Sequence, residues 1–355
     1  TGSHNPPEYN GFKLVCRNAP FWADDIQLLG CRAAAGDWRK GEGHSLPLNV
    51  MDAYVGRLAQ DYRSDRALKV VWDAGNASAG PALLELVQRL PGHHVVMHEE
   101  VDGTFPAHHP DPTMPENLCD LIENVRGLQY DIGLAFDGDG DRLGAVDGTG
   151  RIVWGDQLLA IYAAELLERR PGVEVIADVK ASQVLFDEVA RLGGKPVMAP
   201  PGHSVIKSMM AESGAPLAGE MSGHVFFADG YYGYDDAIYA AIRLLDIVAR
   251  SGRSLADLVS ALPQTVNTPE IRIEIPEERK FTVVDTVMEQ ARADGLDIND
   301  VDGLRVNGAD GWWLLRASNT ENALVVRCES GNADGLERLK AVVSGYLAVA
   351  GVTTG

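Results

Sequence analysis

A strand, a short polar turn, a helix and a second strand occur twice in this chain, and that recurrence limits the folds open to it. Residues 68–73, LKVVWD, form a short apolar run rich in β-branched residues; a Gly/Asn/Ser turn, the helical pattern PALLELVQRL and the strand pattern HHVVMH come next. The second copy reads VEVIADV, KAS, QVLFDEVARLGG and KPVMA. Two related α/β domains are expected, although the similarity between the copies is weak. Further strand signals are DIGLAF, RIVW and PLAGEMSGHVFF; helical ones are ENLCDLIENVRG, GDQLLAIYAAELLERR, SVIKSMMAESG and DDAIYAAIRLLDIVARSG. Such alternation argues for three-layer α/β domains.

Beyond Pro263 the register changes. TPEIRIEIP, LRVNG, WWLLRAS and ALVVRCE read as consecutive strands, with helices at about 280–294 and 334–349, which is an α+β tail domain. A chain of 355 residues also exceeds what one core usually organises. The expected division is 1–49, 50–151, 152–263 and 264–355.

The strongest local signal is FDGDGDR, residues 136–142, directly after DIGLAF. Asp137, Asp139 and Asp141 alternate with Gly138 and Gly140, so in an extended loop the carboxylates fall on one side while the glycines let the backbone curl around an ion. Three hard anionic oxygens suit Mg²⁺. An EF-hand loop would need Gly at the sixth place and Glu at the twelfth, where this chain has Arg142 and Gly148. An aspartyl-nucleophile phosphatase also places Asp-x-Asp at a strand end, but the third Asp and the following Arg fit it poorly.

Thirty-one Lys and Arg against 51 Asp and Glu leave a net charge of −20, which repels nucleic acid and anionic membranes. Neither is an expected partner. An anionic ligand would need a locally basic pocket, because screening over about 8 Å at physiological salt confines the contest to near neighbours. Four cysteines without CxxC spacing read as reduced thiols. No apolar run approaches the roughly 20 residues that span a bilayer, and no signal peptide opens the chain, so a cytoplasmic protein is expected. His108 and His109 suggest a metal at first sight, but adjacent side chains point apart in most conformations, and a loop role is expected.

Ser3 beside His4, with Lys13 after it in EYNGFK, surrounds a hydroxyl with possible proton acceptors and a cation. On its own this is a weak signal. The four motifs T-x-S-H-N-P-P-x-Y-N-G-F-K, D-G-D-G-D-R, G-E-M-S-G-H and R-x-S-N-T, in that order, make it specific: the chain resembles the α-D-phosphohexomutases of phosphomannomutase/phosphoglucomutase type. The resemblance implies related three-layer α/β domains and a C-terminal α+β domain around a central cleft. It also implies that the N-terminal part of the first domain, which precedes Ser3 in the family, is absent from this chain.

By the same resemblance, Ser3 carries the phosphoryl group and Asp137, Asp139 and Asp141 hold Mg²⁺ together with one phosphoserine oxygen. Lys13 and Arg142 supply positive charge to the transferring group. Glu220 and Ser222, in the segment ending at His224, contact the sugar hydroxyls. Arg316, Ser318, Asn319 and Thr320 cradle the non-reacting phosphate, and Lys180 and His203 line the cleft. Asn322 stands where relatives frequently have Pro. The implied activity is phosphoryl transfer between the 1- and 6-positions of a hexose phosphate, with glucose and mannose both accepted and a hexose 1,6-bisphosphate as intermediate and activator. The general base stays open among His4, Lys13, His203 and residues outside this chain. A monomer is expected. The rival readings are a phosphoglucosamine mutase, a catalytically silent sugar-phosphate-binding protein and the phosphatase.

Overall fold

The computed structural model describes residues 12, 14–17, 19–21, 23–318 and 321–352. Ser3, His4, Lys13, Asn319 and Thr320, all expected at the site, lie outside the described residues.

Both copies of the repeat fold as read. Leu68–Asp73 pairs in parallel with Gly92–Met97 across the helix Gly80–Leu86, and Glu174–Asp178 pairs in parallel with Lys195–Ala199 across Gln183–Arg191. In the first unit Ile132–Phe136 adds a parallel strand, and Leu143–Asp147 and Ile152–Val153 complete a five-stranded sheet through antiparallel pairings. In the second, Leu217–Gly219 adds in parallel and Val225–Phe227 closes the edge antiparallel. Central strands such as Ile132–Phe136 are buried on both faces, which is why they read as continuous apolar runs without alternation.

The segment PLAGEMSGHVFF is not one strand. Leu217–Gly219 and Val225–Phe227 are the arms of a hairpin whose connection is Glu220–His224. Gly223, at φ +99°, adopts a backbone conformation that side chains resist. The apolar flanks are equally compatible with an unbroken strand, and only this glycine marks the break.

The helix Ala237–Ser251 lies between the two sheets and is apolar around nearly its whole circumference, a pattern suited to an enclosed helix. Ile242, Leu244 and Leu245 have no exposure, and each contributes about 1.5–3 kcal/mol by leaving water. One apolar cluster therefore runs from Trp72 and Leu134 of the first sheet to Val175 and Leu217 of the second. Asp236 caps this helix, accepting the Tyr239 N–H at 2.9 Å and the hydroxyls of Tyr54 at 3.0 Å and Tyr231 at 2.7 Å. Tyr54 comes from the helix Met51–Ala59, which ties the preceding segment to the same point.

The tail forms a separate antiparallel sheet. Ala323–Ser330 pairs with Val266–Asn267 and Ile271–Glu274 on one side, and Gly311–Ala317, Leu304–Gly308 and Asp297–Asn299 succeed one another on the other. Its helices Glu277–Ala293 and Ala333–Val349 share an apolar cluster with the sheet, through Val283, Val287, Leu339 and Val343. Arg305 fastens this domain to the second repeat unit, donating to the carbonyls of Val179 and Ala181, each at 2.7 Å.

Candidate active site

The aspartate loop and the hairpin Glu220–His224 meet where the parallel strands end. The aspartate loop connects Phe136 to Leu143, which are paired across the antiparallel ladder, so six residues must reverse the chain. Asp137 makes that possible. Its Oδ1 accepts the backbone N–H groups of Gly140, Asp141 and Arg142, each at 3.0 Å, and its Oδ2 accepts Arg142 Nε at 2.9 Å. Arg142 Nη1 reaches Asp111 Oδ1 at 3.2 Å. In this arrangement Arg142 braces the loop from behind.

Asp137 is buried and Asp139 exposed, and one oxygen from each of Asp137, Asp139 and Asp141 lies within 4.8 Å of the others. Burial pushes the Asp137 carboxyl up to about 6, with Arg142 pulling against it and Asp141 and Asp139 adding to it. Three crowded carboxylates of this kind are an all-oxygen donor set that fits a hard divalent cation.

The hairpin abuts this loop through its backbone. Arg142 and His224 form an antiparallel bridge, and the Leu143 N–H donates to the Gly223 carbonyl at 3.0 Å. A Cβ at Gly223 would stand 2.6 Å from the Leu143 carbonyl oxygen, so the close approach requires glycine. Ala237 N donates to the Gly140 carbonyl at 3.1 Å, anchoring the aspartate loop to the start of the enclosed helix. Cation loop and hairpin are thus one hydrogen-bonded unit.

Glu220 is buried, and its Oε1 accepts the Gly202 N–H at 2.6 Å. Ser222 is half-buried at the hairpin tip. His224 Nδ1 lies 3.2 Å from Asp235 Oδ2 and 3.6 Å from Asp141 Oδ1, with Nε2 4.0 Å from Glu220 Oε2. Burial works against its positive charge, but Asp235, Glu220 and Asp141 outweigh burial and raise its pKa above the ordinary histidine value. Lys207 Nζ holds Asp235 from the other side at 3.0 Å. His203, first residue of the helix His203–Ser213, lays its ring along His224 with centroids 6.1 Å apart.

Lys180 lies just after the strand Glu174–Asp178 and pairs with Glu270 of the tail domain at 2.9 Å, with Asp178 at 3.9 Å. Asp178 is fully buried with Oδ1 lacking a hydrogen-bond partner, and burial pushes it up to about 6, with Lys180 opposing the rise and Glu220 adding to it. Arg316 lies near the end of the strand Gly311–Ala317 and pairs through Nε with Asp302; Ser318 Oγ accepts the Glu321 N–H at 3.1 Å.

The aspartates, Arg142, Glu220, His203 and His224 are therefore gathered together, whereas Arg316 and Ser318 stand on the tail domain. Sequence reasoning missed Asp235, Lys207, Glu270 and Asp111. A signal existed for Lys207, four residues after His203 on one helical face, and for Asp235, next to the helix-capping Asp236. Asp111 and Glu270 act across long separations and left none.

Serial α/β domains that bring a hard-cation loop against a polar hairpin, with an α+β tail docked alongside, have the build of a multidomain sugar-phosphate enzyme. Comparison with known families makes this specific. The alpha/beta/alpha domain II of phosphoglucomutase/phosphomannomutase matches residues 52–150, domain III matches 154–266 and the C-terminal domain matches 270–345. A Pseudomonas aeruginosa protein named phosphomannomutase/phosphoglucomutase is 43% identical over 98% of this chain and 75% of its own length. A Neisseria meningitidis phosphoglucomutase is 39% identical over 96% and 75%. The crystal structure of a phosphoglucomutase/phosphomannomutase family protein from Burkholderia thailandensis superposes with a TM-score of 0.93 at 43% identity, covering 100% of this chain and 76% of that one. The chain belongs to the phosphoglucomutase/phosphomannomutase family.

Proposed function

We propose that this protein interconverts hexose 1-phosphate and hexose 6-phosphate, on glucose, mannose or both. The observation that carries the reading is the bridge between Arg142 and His224, which fixes an acidic cation loop against a polar hairpin in a chain 43% identical to a named phosphomannomutase/phosphoglucomutase.

Ser3 carries the phosphoryl group. The free hydroxyl of the substrate attacks its phosphorus, the bond to Ser3 Oγ breaks, and the hydroxyl proton passes to a base. The resulting hexose 1,6-bisphosphate reorients, and its other phosphoryl group returns to Ser3 Oγ as the isomeric monophosphate forms. Mg²⁺, held by Asp137, Asp139 and Asp141 when bound, neutralises charge on the transferring group. Arg142 keeps the three carboxylates in register by bonding Asp137 and Asp111. Glu220 accepts from the sugar hydroxyls, Ser222 accepts or donates, and His224 and His203 form the adjoining wall. Lys180, Arg316 and Ser318, with Asn319 and Thr320, receive the phosphate that does not react. Contacts to the 3- and 4-hydroxyls leave inversion at the 2-position unread, which favours both sugars as substrates.

The test is incubation with glucose 1-phosphate or mannose 1-phosphate, Mg²⁺ and a trace of the matching 1,6-bisphosphate, followed by mapping of acid-stable phosphate. Isomerisation with label on Ser3 is expected. Free phosphate without label on Ser3, or binding without turnover, would overturn the reading.

A further inference from the structure

The first repeat unit carries a second constellation of ligand-type side chains that the proposed reaction does not use. Asp73 ends the strand Leu68–Asp73, as Asp178 ends its counterpart in the second unit; the two pair in register with Met97 and Ala199 of the neighbouring strands. At Asp178 the compensating charge is Lys180. At Asp73 the same place is taken by two imidazoles. His98, immediately after the strand Gly92–Met97, brings Nδ1 to 3.1 Å from Asp73 Oδ1, and His108 brings Nε2 to 2.9 Å from Asp73 Oδ2.

The proton arrangement of this cluster is constrained. His108 Nδ1 lies 3.0 Å from the His109 carbonyl oxygen, which only accepts, so Nδ1 carries a hydrogen. Nε2 then faces a buried carboxylate oxygen, and a proton or a cation must lie between the two, since a lone pair there would otherwise meet a lone pair.

We propose that Asp73, His98 and His108 bind a borderline transition-metal dication of the zinc class, at a site that shares no ligand with the aspartate loop. One ligand atom from each of the three lies within 4.8 Å of the others. Bonds of about 2 Å in a tetrahedral site set ligand edges of roughly 3.3 Å. The 2.9 and 3.1 Å contacts run to Oδ2 and Oδ1 of Asp73 respectively, so the carboxylate must turn to offer one oxygen to an ion held by both imidazoles, a movement within the 4.8 Å that already encloses the three ligand atoms. Two imidazoles and one carboxylate select zinc-like ions, whereas the all-oxygen aspartate loop suits magnesium.

Outer contacts that orient such ligands are also in place: the His109 carbonyl on His108 Nδ1, and the Gly75 N–H donating to Asp73 Oδ1 at 3.0 Å. Asp73 has no side-chain exposure while His98 retains 22% and His108 14%, so an ion enters from the imidazole side, where a water completes the tetrahedron. On binding, the ion replaces the proton between His108 Nε2 and Asp73, which leaves to solvent, and the hydrogen on His98 Nδ1 is exchanged through solvent for one on Nε2. His109 contributes its carbonyl, and its ring packs against Phe105, with centroids 6.0 Å apart. Three residues beyond His108, Asp111 holds Arg142, so an ion here also pins the segment that braces the aspartate loop.

The experiment is calorimetric titration of the chelator-stripped protein with Zn²⁺ in a large excess of Mg²⁺, which keeps the aspartate loop filled. About one Zn²⁺ per chain is expected, with affinity falling tenfold or more in His98→Asn and in His108→Gln. Co²⁺ in place of Zn²⁺ should give the visible absorption of a nitrogen-ligated tetrahedral ion, lost in the same variants. No Zn²⁺ uptake by the wild-type protein under excess Mg²⁺ would overturn the proposal without recourse to any variant. Unchanged uptake in the more exposed His98→Asn, folded by its thermal transition, would do the same.

Discussion

Replacing Arg305 with methionine keeps most of the length of the side chain and removes the guanidinium that joins the tail sheet to the third domain. Arg305 has no exposure. Its Nη1 donates to two carbonyls at 2.7 Å, its Nη2 to Gln183 Oε1 at 2.9 Å, and its Cζ lies 3.7 Å from the centre of the Trp312 ring. Hydrogen bonds from a charged donor contribute about 1.5–3 kcal/mol each and a desolvated cation–π contact about 2 kcal/mol, so a simple sum overshoots. Desolvation takes part of it back. Burial pushes the guanidinium pKa down to about 9, and Nε has no partner.

For one partner of a buried polar cluster, a loss of about 3–5 kcal/mol is the realistic range. At about 1.4 kcal/mol per tenfold, opening of the interface becomes roughly 10²- to several 10³-fold more frequent. Amide hydrogen exchange reads this directly. Faster exchange is expected in 304–308, 311–317 and 179–183, with the enclosed helix Ala237–Ser251 unchanged as an internal control. Arg305→Lys should fall between, because an ammonium cannot serve both carbonyls and also stack on the indole. Exchange that is unaltered at the interface, or that rises equally in Ala237–Ser251, would refute the reasoning.

Three further outcomes are expected at the site. Asp139→Asn, at an exposed position, should weaken activation by Mg²⁺ while moving stability by no more than about 0.5 kcal/mol; Asp137→Asn should in addition cost about 1–3 kcal/mol, because its carboxylate organises the loop. Thermal unfolding alongside Mg²⁺ titration of activity separates the two. Gly223→Ala places a Cβ 2.6 Å from the Leu143 carbonyl oxygen at φ +99°, and about 1–3 kcal/mol of strain is expected with a raised KM for the sugar phosphate. Burial opposes the Asp235 charge, but His224 and Lys207 hold its pKa below the unfolded 3.8, so that contribution is full above about pH 4 and is lost as pH falls through the lowered value. His224 is raised above 6.5, so its contribution is full below that value and is lost as pH rises through the folded pKa. The pair should stabilise most between those limits, and Asp235→Asn should flatten the thermal midpoint against pH on the alkaline side.

Periodicity made the repeat units legible because each strand and helix buries a local apolar pattern. It likewise placed the tail helices, Glu277–Ala293 and Ala333–Val349, within a few residues of where the sequence puts them. The clustering of the aspartate loop was legible because its three carboxylates lie within five residues. The helix Asp24–Ala34 was not, since none of its residues is buried and no core pattern marks it. Met51–Ala59 buries only Val55 and Leu58, too little for a pattern to emerge. His108 was read against its neighbour His109, whereas its partners are Asp73 and His98, brought together by strand register. Spacing along the chain carries no information about such a contact.

Among the described residues the cations of the site are already matched: Lys180 with Glu270, Lys207 with Asp235, Arg316 with Asp302, and Arg142 with Asp137 and Asp111. On the proposed function, a phosphate arriving at Lys180 or Arg316 would exchange one anion for another at a fixed cation, so the large desolvation cost of baring a buried charge would not be incurred. Two of these exchanges act on the tail domain. Glu270 lies on it and Lys180 on its neighbour, so displacing Glu270 removes a contact and shifts the load to Arg305 and to Glu329, which accepts from Ser182 Oγ at 2.9 Å. If Lys180 receives phosphate as proposed, phosphate binding and the freedom of the tail domain are coupled through that competition. A bisphosphate that must reorient between two transfers requires such freedom.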